Sequence, residues 1–181
     1  MIPFPKKKYN IIYADPPWNV WAGCTFFKEK KYKIAKNRLR KKLTYPTMDI
    51  EDIKNLPVKD LSNKDSKLFI WTINKYLPQT FDVINSWGFK YSTCLTWCKK
   101  PMGLGLGGTF SGTTEFLMFA HKGKVNAKKR IDTTWFLEKR GIHSKKPNKF
   151  INLIDDLFDG DKIELFARQK VEGWDSWGNE V

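Results

Sequence analysis

The sequence predicts an α/β fold with a mainly parallel sheet. Short apolar runs alternate along the chain with segments of helical periodicity, which is the pattern of strand–helix units. The length of 181 residues suits one domain, and 41% of the residues are hydrophobic and 15% aromatic, which is enough for a packed core. No linker composition divides the chain, so residues 1–181 are expected to form a single domain.

Five apolar runs are predicted as strands, at residues 10–14, 67–73, 89–98, 114–120 and 162–167. Helices are predicted at residues 48–55 and 76–87, and between Pro147 and Gly160. Thr47 can cap the first helix. One shared face is predicted in each of the other two helices by the apolar spacing of Leu77, Phe81 and Ile84, and of Phe150, Leu153, Ile154 and Leu157.

The positive charge is concentrated in two segments. The chain carries 33 Lys and Arg against 19 Asp and Glu, a net charge of +14, of which residues 28–42 supply +8 and residues 122–130 supply +5. This clustering predicts two basic loop insertions, at about residues 19–44 and 121–131, that contact the phosphates of nucleic acid. The expected contact residues are Lys28, Lys30, Lys31, Lys33, Lys36, Arg38, Arg40, Lys41, Lys42, Lys128, Lys129 and Arg130.

Composition argues against several other classes of protein. Cys24, Cys94 and Cys98 form no CxxC pair, and two histidines add too few ligands for a metal site, so none is predicted. No apolar stretch approaches the roughly 18–20 residues that span a bilayer. The N-terminal residues lack the apolar region of a signal peptide, so we expect a cytoplasmic protein without membrane contact.

Asp15-Pro16-Pro17-Trp18 follows the first predicted strand, at the edge of the sheet where ligands of such folds bind. A rigid turn is one interpretation, because two prolines end a strand and Trp18 can cover its edge. The alternative explains more: a carboxylate and a proline carbonyl can accept hydrogen bonds from an exocyclic amine while tryptophan stacks on its ring. The pattern therefore favours an amino-methyltransferase, with Asp15, Pro16, Pro17 and Trp18 as catalytic residues.

Further motifs follow in order along nearly the whole chain. They are Tyr45-Pro46-Thr47-Met48, Leu68-Phe69-Ile70-Trp71-Thr72, Trp87-Gly88-Phe89, Leu95-Thr96-Trp97-Cys98-Lys99, Glu115-Phe116-Leu117, Ser144-Lys145-Lys146-Pro147, Glu164-Leu165-Phe166-Ala167-Arg168 and residues 173–180. With the Asp-Pro-Pro-Trp motif, they resemble the adenine-N6 methyltransferases related to the catalytic subunit of the messenger-RNA N6-methyladenosine writer, in a compact bacterial or phage form.

The resemblance implies a Rossmann-like methyltransferase fold in permuted order, with the catalytic strand first and the cofactor strand last. It also implies S-adenosylmethionine as the cofactor, and Tyr45 and Glu115 as substrate contacts. The residues that would bind the cofactor are Asp15, Lys146, Glu164, Leu165, Phe166, Arg168, Asn179 and Glu180. One acidic cofactor contact of larger relatives precedes their catalytic strand and has no counterpart here, so Asp15 is a candidate to replace it.

The predicted activity is methyl transfer to the N6 amine of adenine in DNA. RNA as the substrate, or an inactive homologue that only binds nucleic acid, are the alternatives, and a homodimer stays open. The glycine-rich residues 103–108 match a dinucleotide-binding pattern, but a predicted strand follows them where that site requires a helix. We therefore interpret them as a loop near the substrate.

Overall fold

A computed structural model of the chain describes residues 2–19, 46–100, 110–141 and 145–181. These residues form a seven-stranded sheet with a hydrophobic core on each of its faces. Helices contribute to both cores, so the predicted α/β class is confirmed. Within the described residues, no helix has the length and apolar character needed to cross a membrane.

The strands are β1 Tyr9–Ala14, β2 Ser62–Thr72, β3 Lys90–Lys100, β4 Thr114–Lys122, β5 Trp135–Lys139, β6 Lys162–Leu165 and β7 Asp175–Trp177. The helices are α1 Ile50–Lys54, α2 Val58–Leu61, α3 Leu77–Ser86 and α4 Asn148–Leu157. A turn of 3-10 helix, Asn74–Tyr76, precedes α3.

The strand order across the sheet is β5-β3-β4-β2-β1-β6-β7. Every described strand runs parallel to β1 except β4, which pairs antiparallel with both β2 and β3. The end of each parallel strand and the start of β4 therefore lie at the same edge of the sheet, which we call the carboxyl edge. The opposite edge is the amino edge.

β1 lies inside the sheet and is buried on both faces, which explains its apolar run from Ile11 to Ala14. Ile11 and Tyr13 point into the core that contains Phe150 of α4. Ile12 and Ala14 point into the other core, which contains residues of α1 and α3. Packing on both faces holds the end of β1, and the motif that follows it, in one position.

The structure differs from the predicted elements in three ways. Thr47 does not cap the first helix, because α1 begins two residues late with Asp49 at its cap. The predicted face of the second helix is wrong at Phe81, which is 39% exposed, since Thr80, Val83 and Ile84 are the buried residues of α3. The short elements α2, β5 and β7 were not predicted.

Candidate active site

Asp15-Pro16-Pro17-Trp18 follows β1 at the carboxyl edge and is fixed by backbone hydrogen bonds. The Asp15 N–H donates to the carbonyl of Leu165 in β6 (3.4 Å), and the Met48 N–H donates to the carbonyl of Pro17 (3.0 Å). The Trp18 N–H donates to the Pro16 carbonyl at 2.8 Å. A carbonyl oxygen has two lone pairs, so that of Pro16 keeps one for a further donor.

Trp18 holds this motif onto the body of the protein. Its indole N–H donates to the carbonyl of Trp71 at the end of β2 (2.9 Å), and its ring stacks on Tyr76 with centroids 5.3 Å apart. Only 5% of Trp18 is exposed. Stacking of Trp18 on the target base stays a prediction, whereas its contacts in the structure are those of a positioning residue.

Four charged side chains form a chain of ion pairs beside the motif. Lys146 Nζ lies 2.8 Å from Asp15 Oδ2 and 3.3 Å from Glu115 Oε2, and Lys99 Nζ contacts Glu115 Oε1. Each of the four side chains is only 15–19% exposed. We call Asp15, Lys146, Glu115 and Lys99 the charge cluster.

The topology of the sheet brings these four residues together. Asp15 follows β1, Lys99 lies near the end of β3, and Lys146 immediately precedes the cap of α4. Glu115 is at the beginning of β4, which reaches the same edge because β4 runs in the opposite direction. Of the four, Lys99 is the one that the sequence did not identify as a site residue, although it lies within a recognised motif.

Lys146 and Glu115 stabilise the ionised form of each other. Burial alone would raise the pKa of Glu115, but the positive charges of Lys146 and Lys99 outweigh burial and keep that pKa below its ordinary value. Burial alone would lower the pKa of Lys146, but Asp15 and Glu115 raise it above its ordinary value. A permanently charged lysine therefore lies between two carboxylates at this site.

Glu164 adds a third carboxyl group near Asp15. It lies on β6 in register with Tyr13 of β1 and is half-buried. Burial, followed by the negative charge of Asp15, raises the pKa of Glu164 to about 7. A carboxyl group in this state gains its charge near neutral pH, and a bound cation would favour the ionised form.

The remaining predicted cofactor residues lie at the carboxyl ends of β6 and β7. Phe166 directly follows β6 with a φ of 62°, a conformation that side-chain-bearing residues rarely adopt. Gly178 approaches that turn so closely that an added Cβ would lie 2.3 Å from the Ala167 carbonyl oxygen. Arg168 Nε lies 3.9 Å from Glu180 Oε1, and Asn179 beside them is exposed. The structure thus brings the residues assigned to the cofactor to one side of Asp15.

A buried aromatic pair below the charge cluster was not predicted. The Trp71 indole N–H donates to the Tyr13 hydroxyl (2.5 Å), and both residues are at most 1% exposed. Lys146 Nζ lies 5.3 Å from the centroid of the Trp71 ring, within the range of a cation–π interaction. Both residues occur in recognised motifs, but no sequence pattern indicates that their side chains meet.

The predicted nucleic-acid contacts are only partly described. Tyr45, the basic residues 28–42 and the glycine-rich residues 103–108 lie outside the described residues. Lys128 and Lys129 pair with Asp159 and Asp156 at 2.8 and 3.2 Å, and Arg130 lies 3.6 Å from Asp132.

The segment from Lys128 to Arg130 follows β4, whose end is at the amino edge. The Lys128 N–H donates to the carbonyl of Leu157 at the end of α4, beyond which the chain enters β6 at the same edge. The seven residue steps between Glu115 and Lys122 span about 24 Å along β4. The structure therefore does not bring Lys128, Lys129 and Arg130 together with the charge cluster.

Comparison with known proteins identifies the family. A type II methyltransferase from Mycoplasma sp, M.MunI, is 34% identical over 98% of this chain and 79% of its own length. The N6-methyladenosine RNA methyltransferase MTA1 of Cryphonectria parasitica is 25% identical, and the human N(6)-adenine-specific methyltransferase METTL4 is 27% identical. These two matches cover 96% and 97% of this chain, but only 52% and 38% of the relatives.

Residues 9–180 match the MT-A70 family, a range that includes every described strand and the whole charge cluster. The α/β sheet agrees with a Rossmann-like methyltransferase fold, and the permuted order of its cofactor strand stays a prediction. The three relatives are named as methyltransferases. The chain therefore belongs to the MT-A70 family.

Proposed function

We propose that this protein transfers a methyl group from S-adenosylmethionine to the N6 amine of adenine in DNA. The observation that carries the proposal is the position of Asp15 at the carboxyl edge, next to the Pro16 carbonyl and within the charge cluster. Membership of a methyltransferase family supports the reaction class. We further propose nucleic acid as the partner and the cytoplasm of a bacterium, or of a phage-infected host cell, as the location.

The residues present fit S-adenosylmethionine. The carboxyl groups of Asp15, Glu115 and Glu164 outnumber the ammonium groups of Lys146 and Lys99, and a ligand of net positive charge would favour the ionised form of Glu164, whose pKa is about 7. S-adenosylmethionine carries a sulfonium and an ammonium against one carboxylate. Lys146 would pair with its carboxylate, and Asn179, Glu180 and Arg168 would hydrogen-bond to its ribose and nearby groups.

When bound, S-adenosylmethionine supplies an electrophilic methyl group. The residues of the chain position the acceptor. Asp15 Oδ2 contacts Lys146, which leaves Oδ1 to accept one hydrogen of the adenine amine, and the free lone pair of Pro16 can accept the other. Two such hydrogen bonds would orient N6 and increase its electron density, so catalysis would consist mainly of positioning. A target base inside a duplex would have to leave the stack.

Mass spectrometry for N6-methyladenine tests the proposal. Wild type, Asp15→Ala and Asp15→Asn are incubated with S-adenosylmethionine and either DNA or RNA of matched sequence. We expect product from wild type and a loss of at least about 100-fold in Asp15→Ala, because a misplaced acceptor loses most of the effect of positioning. The loss in Asp15→Asn should be smaller, because its amide oxygen can still accept a hydrogen bond. Asp82→Ala, which removes an exposed carboxylate of α3, is the matched control and should retain wild-type activity.

The same experiment distinguishes the alternatives. We favour DNA because the type II methyltransferase M.MunI is matched over 79% of its own length. The other two relatives are matched over 52% and 38% of theirs. The fungal relative is named an RNA methyltransferase. If the protein methylates RNA in preference to DNA, its proposed substrate becomes RNA. Equal product from wild type and Asp15→Ala would contradict the role of Asp15. Nucleic-acid binding without product would indicate an inactive homologue.

A further inference from the structure

The outermost strand β5 presents an exposed surface that is both apolar and cationic. Trp135 is 62% exposed and Leu137 is 42% exposed, and Lys139 lies on the same face because alternate residues of a strand share a face. Lys100 of β3 is in register with Lys139, and its carbonyl accepts the N–H of Arg140 at 2.9 Å. We call these five residues the β5 stripe.

The opposite face of β5 is packed, which distinguishes the two sides of the strand. Phe136 packs edge-on against Phe150 of α4 with ring centroids 5.3 Å apart. Glu138 pairs with Lys149 of α4 at 2.6 Å. The acidic residue of β5 is thus turned away from the stripe, while neither Trp135 nor Leu137 belongs to a hydrophobic core of the described residues.

The cations of the β5 stripe carry charge that nearby acids do not neutralise. Among residues that the structure describes, Lys100, Lys139 and Arg140 make no ion pair, in contrast to Lys128, Lys129 and Arg130. All three are exposed. The stripe therefore presents the charges of Lys100 and Lys139 on the same face as Trp135, and Arg140 adds a third positive charge where the strand ends.

The β5 stripe also leads to the candidate active site. Lys100 and Lys139 end their strands at the carboxyl edge. Lys99, the neighbour of Lys100 in β3, points to the opposite face of the sheet and pairs with Glu115, so the stripe and the charge cluster approach each other at the carboxyl edge. Trp135 lies four residue steps behind Lys139, a distance of about 13 Å along the strand.

We infer that the β5 stripe binds the nucleic-acid strand beside the target adenine, with Trp135 stacked on a base and Lys100, Lys139 and Arg140 on phosphates. This inference rests on the proposed function. Exposed aromatic side chains interspersed with cations bind unpaired nucleotides through stacking and charge, and each stacked base contributes about 1–3 kcal/mol. A second copy of this chain fits the surface poorly, because a symmetric contact would bring the same positive charges together.

Binding of fluorescent oligonucleotides tests the inference. We compare wild type with Trp135→Ala, Trp135→Phe and a triple variant, Lys100→Gln, Lys139→Gln and Arg140→Gln. Trp135→Ala should weaken binding about 10-fold, and Trp135→Phe should restore most of that loss because it retains a ring. The triple variant should lower the slope of log affinity against log salt by about 2–3, since each phosphate contact contributes about 0.7–0.9.

A charge-matched control removes three exposed lysines from the amino edge, as Lys6→Gln, Lys8→Gln and Lys64→Gln. It should retain wild-type affinity and salt dependence. The inference would be overturned if Trp135→Ala kept wild-type affinity and the triple variant kept the wild-type salt slope. It would also be overturned if Trp135→Ala had a lower molecular mass in solution than wild type, because Trp135 would then be a contact between two copies of the chain. Failure of wild type to form N6-methyladenine would instead contradict the proposed function, so the two failures are distinguishable.

Discussion

Lys146 lies between Asp15 and Glu115, so one side chain supplies the positive charge that both carboxyl groups contact beside the motif. The three residues come from different elements, and each is mostly shielded from water. Removing one partner of such a buried pair leaves an uncompensated charge and is typically destabilising by about 3–5 kcal/mol. The cluster therefore links the stability of the carboxyl edge to the groups proposed to bind the cofactor and the adenine.

Glu164 allows a prediction at the scale of one residue. Its pKa is about 7 in the folded chain against 4.5 for an ordinary glutamate, so between these pH values the folded state binds more protons than the unfolded state. The free energy of unfolding must then fall as the pH rises through this range. Glutamine does not ionise, so the unfolding free energy of Glu164→Gln should not fall in this pH range. It should exceed that of wild type by about 3 kcal/mol at pH 8 and differ little from it at pH 4.5.

Thermal unfolding of both proteins between pH 4.5 and 8 measures this difference. Since 1 kcal/mol shifts the Tm of a chain of this size by about 2–4 °C, the Tm of the variant should exceed that of wild type by several degrees at pH 8. Glu172→Gln, at an exposed glutamate, controls for the loss of one charge. A Tm difference that does not vary with pH would show that burial of Glu164 has no such effect.

The elements differ in how far the sequence can predict them. β1 and α4 were predicted because β1 contains the apolar run from Ile11 to Ala14 and α4 has a clear apolar face. Three features depend on tertiary contacts that no local pattern contains: the reversed direction of β4, the close approach of β7 to β6, and the pairing of β5 with β3. The face of α3 was mispredicted because Thr80, rather than the apolar Phe81, is buried. The Thr80 hydroxyl is satisfied by Thr72 and by the Tyr76 carbonyl.

The same limit applies to the candidate site. Asp15 to Trp18 was predictable because its residue types and its place after a strand are distinctive. Lys99 was missed as a site residue, since its contact with Glu115 requires β4 to run against β3. The ion pairs of Lys128 and Lys129 were missed because their partners lie 27 or more residues away in sequence.

Gly178 allows a prediction at the scale of two elements. A Cβ at this position would lie 2.3 and 2.6 Å from backbone atoms of Ala167, so Gly178→Ala must displace the segment after β7 from the turn after β6. We expect a loss of about 1–3 kcal/mol in the free energy of unfolding, as for other overpacked sites. Affinity for S-adenosylmethionine, measured by calorimetry, should fall as well because the displaced residues include Asn179.

Gly141→Ala is the matched control for this substitution. Its added Cβ would meet its neighbours at 3.5 Å, an ordinary contact distance. It should therefore leave both the unfolding free energy and the cofactor affinity near those of wild type. Equal effects of the two substitutions, or wild-type affinity in Gly178→Ala, would contradict the assignment of this turn to the cofactor.

At the scale of the whole molecule, two groups of described cations, one near each edge of the sheet, differ in their pairing. The cations of Lys128 to Arg130 lie toward the amino edge and face acidic partners. The exposed cations of the β5 stripe lie toward the carboxyl edge and have no such partners among the described residues. The β5 stripe therefore places positive charge that no described acid pairs with at the edge that carries Asp15, and residues 28–42 follow the motif after nine residues in the sequence.

Two charge-matched triple variants test this asymmetry. One replaces Lys28, Lys30 and Lys31 by Gln, and the other replaces Lys128, Lys129 and Arg130 by Gln. In DNA binding measured over a range of salt concentrations, the first should lower the salt slope by about 2–3, whereas the second should leave affinity and slope near wild type. The second loses exposed ion pairs that are worth about 0–1 kcal/mol each, so its Tm should fall only slightly. Equal losses of affinity would mean that nucleic acid also contacts the amino edge, and the asymmetry of charge would then not determine where the substrate lies.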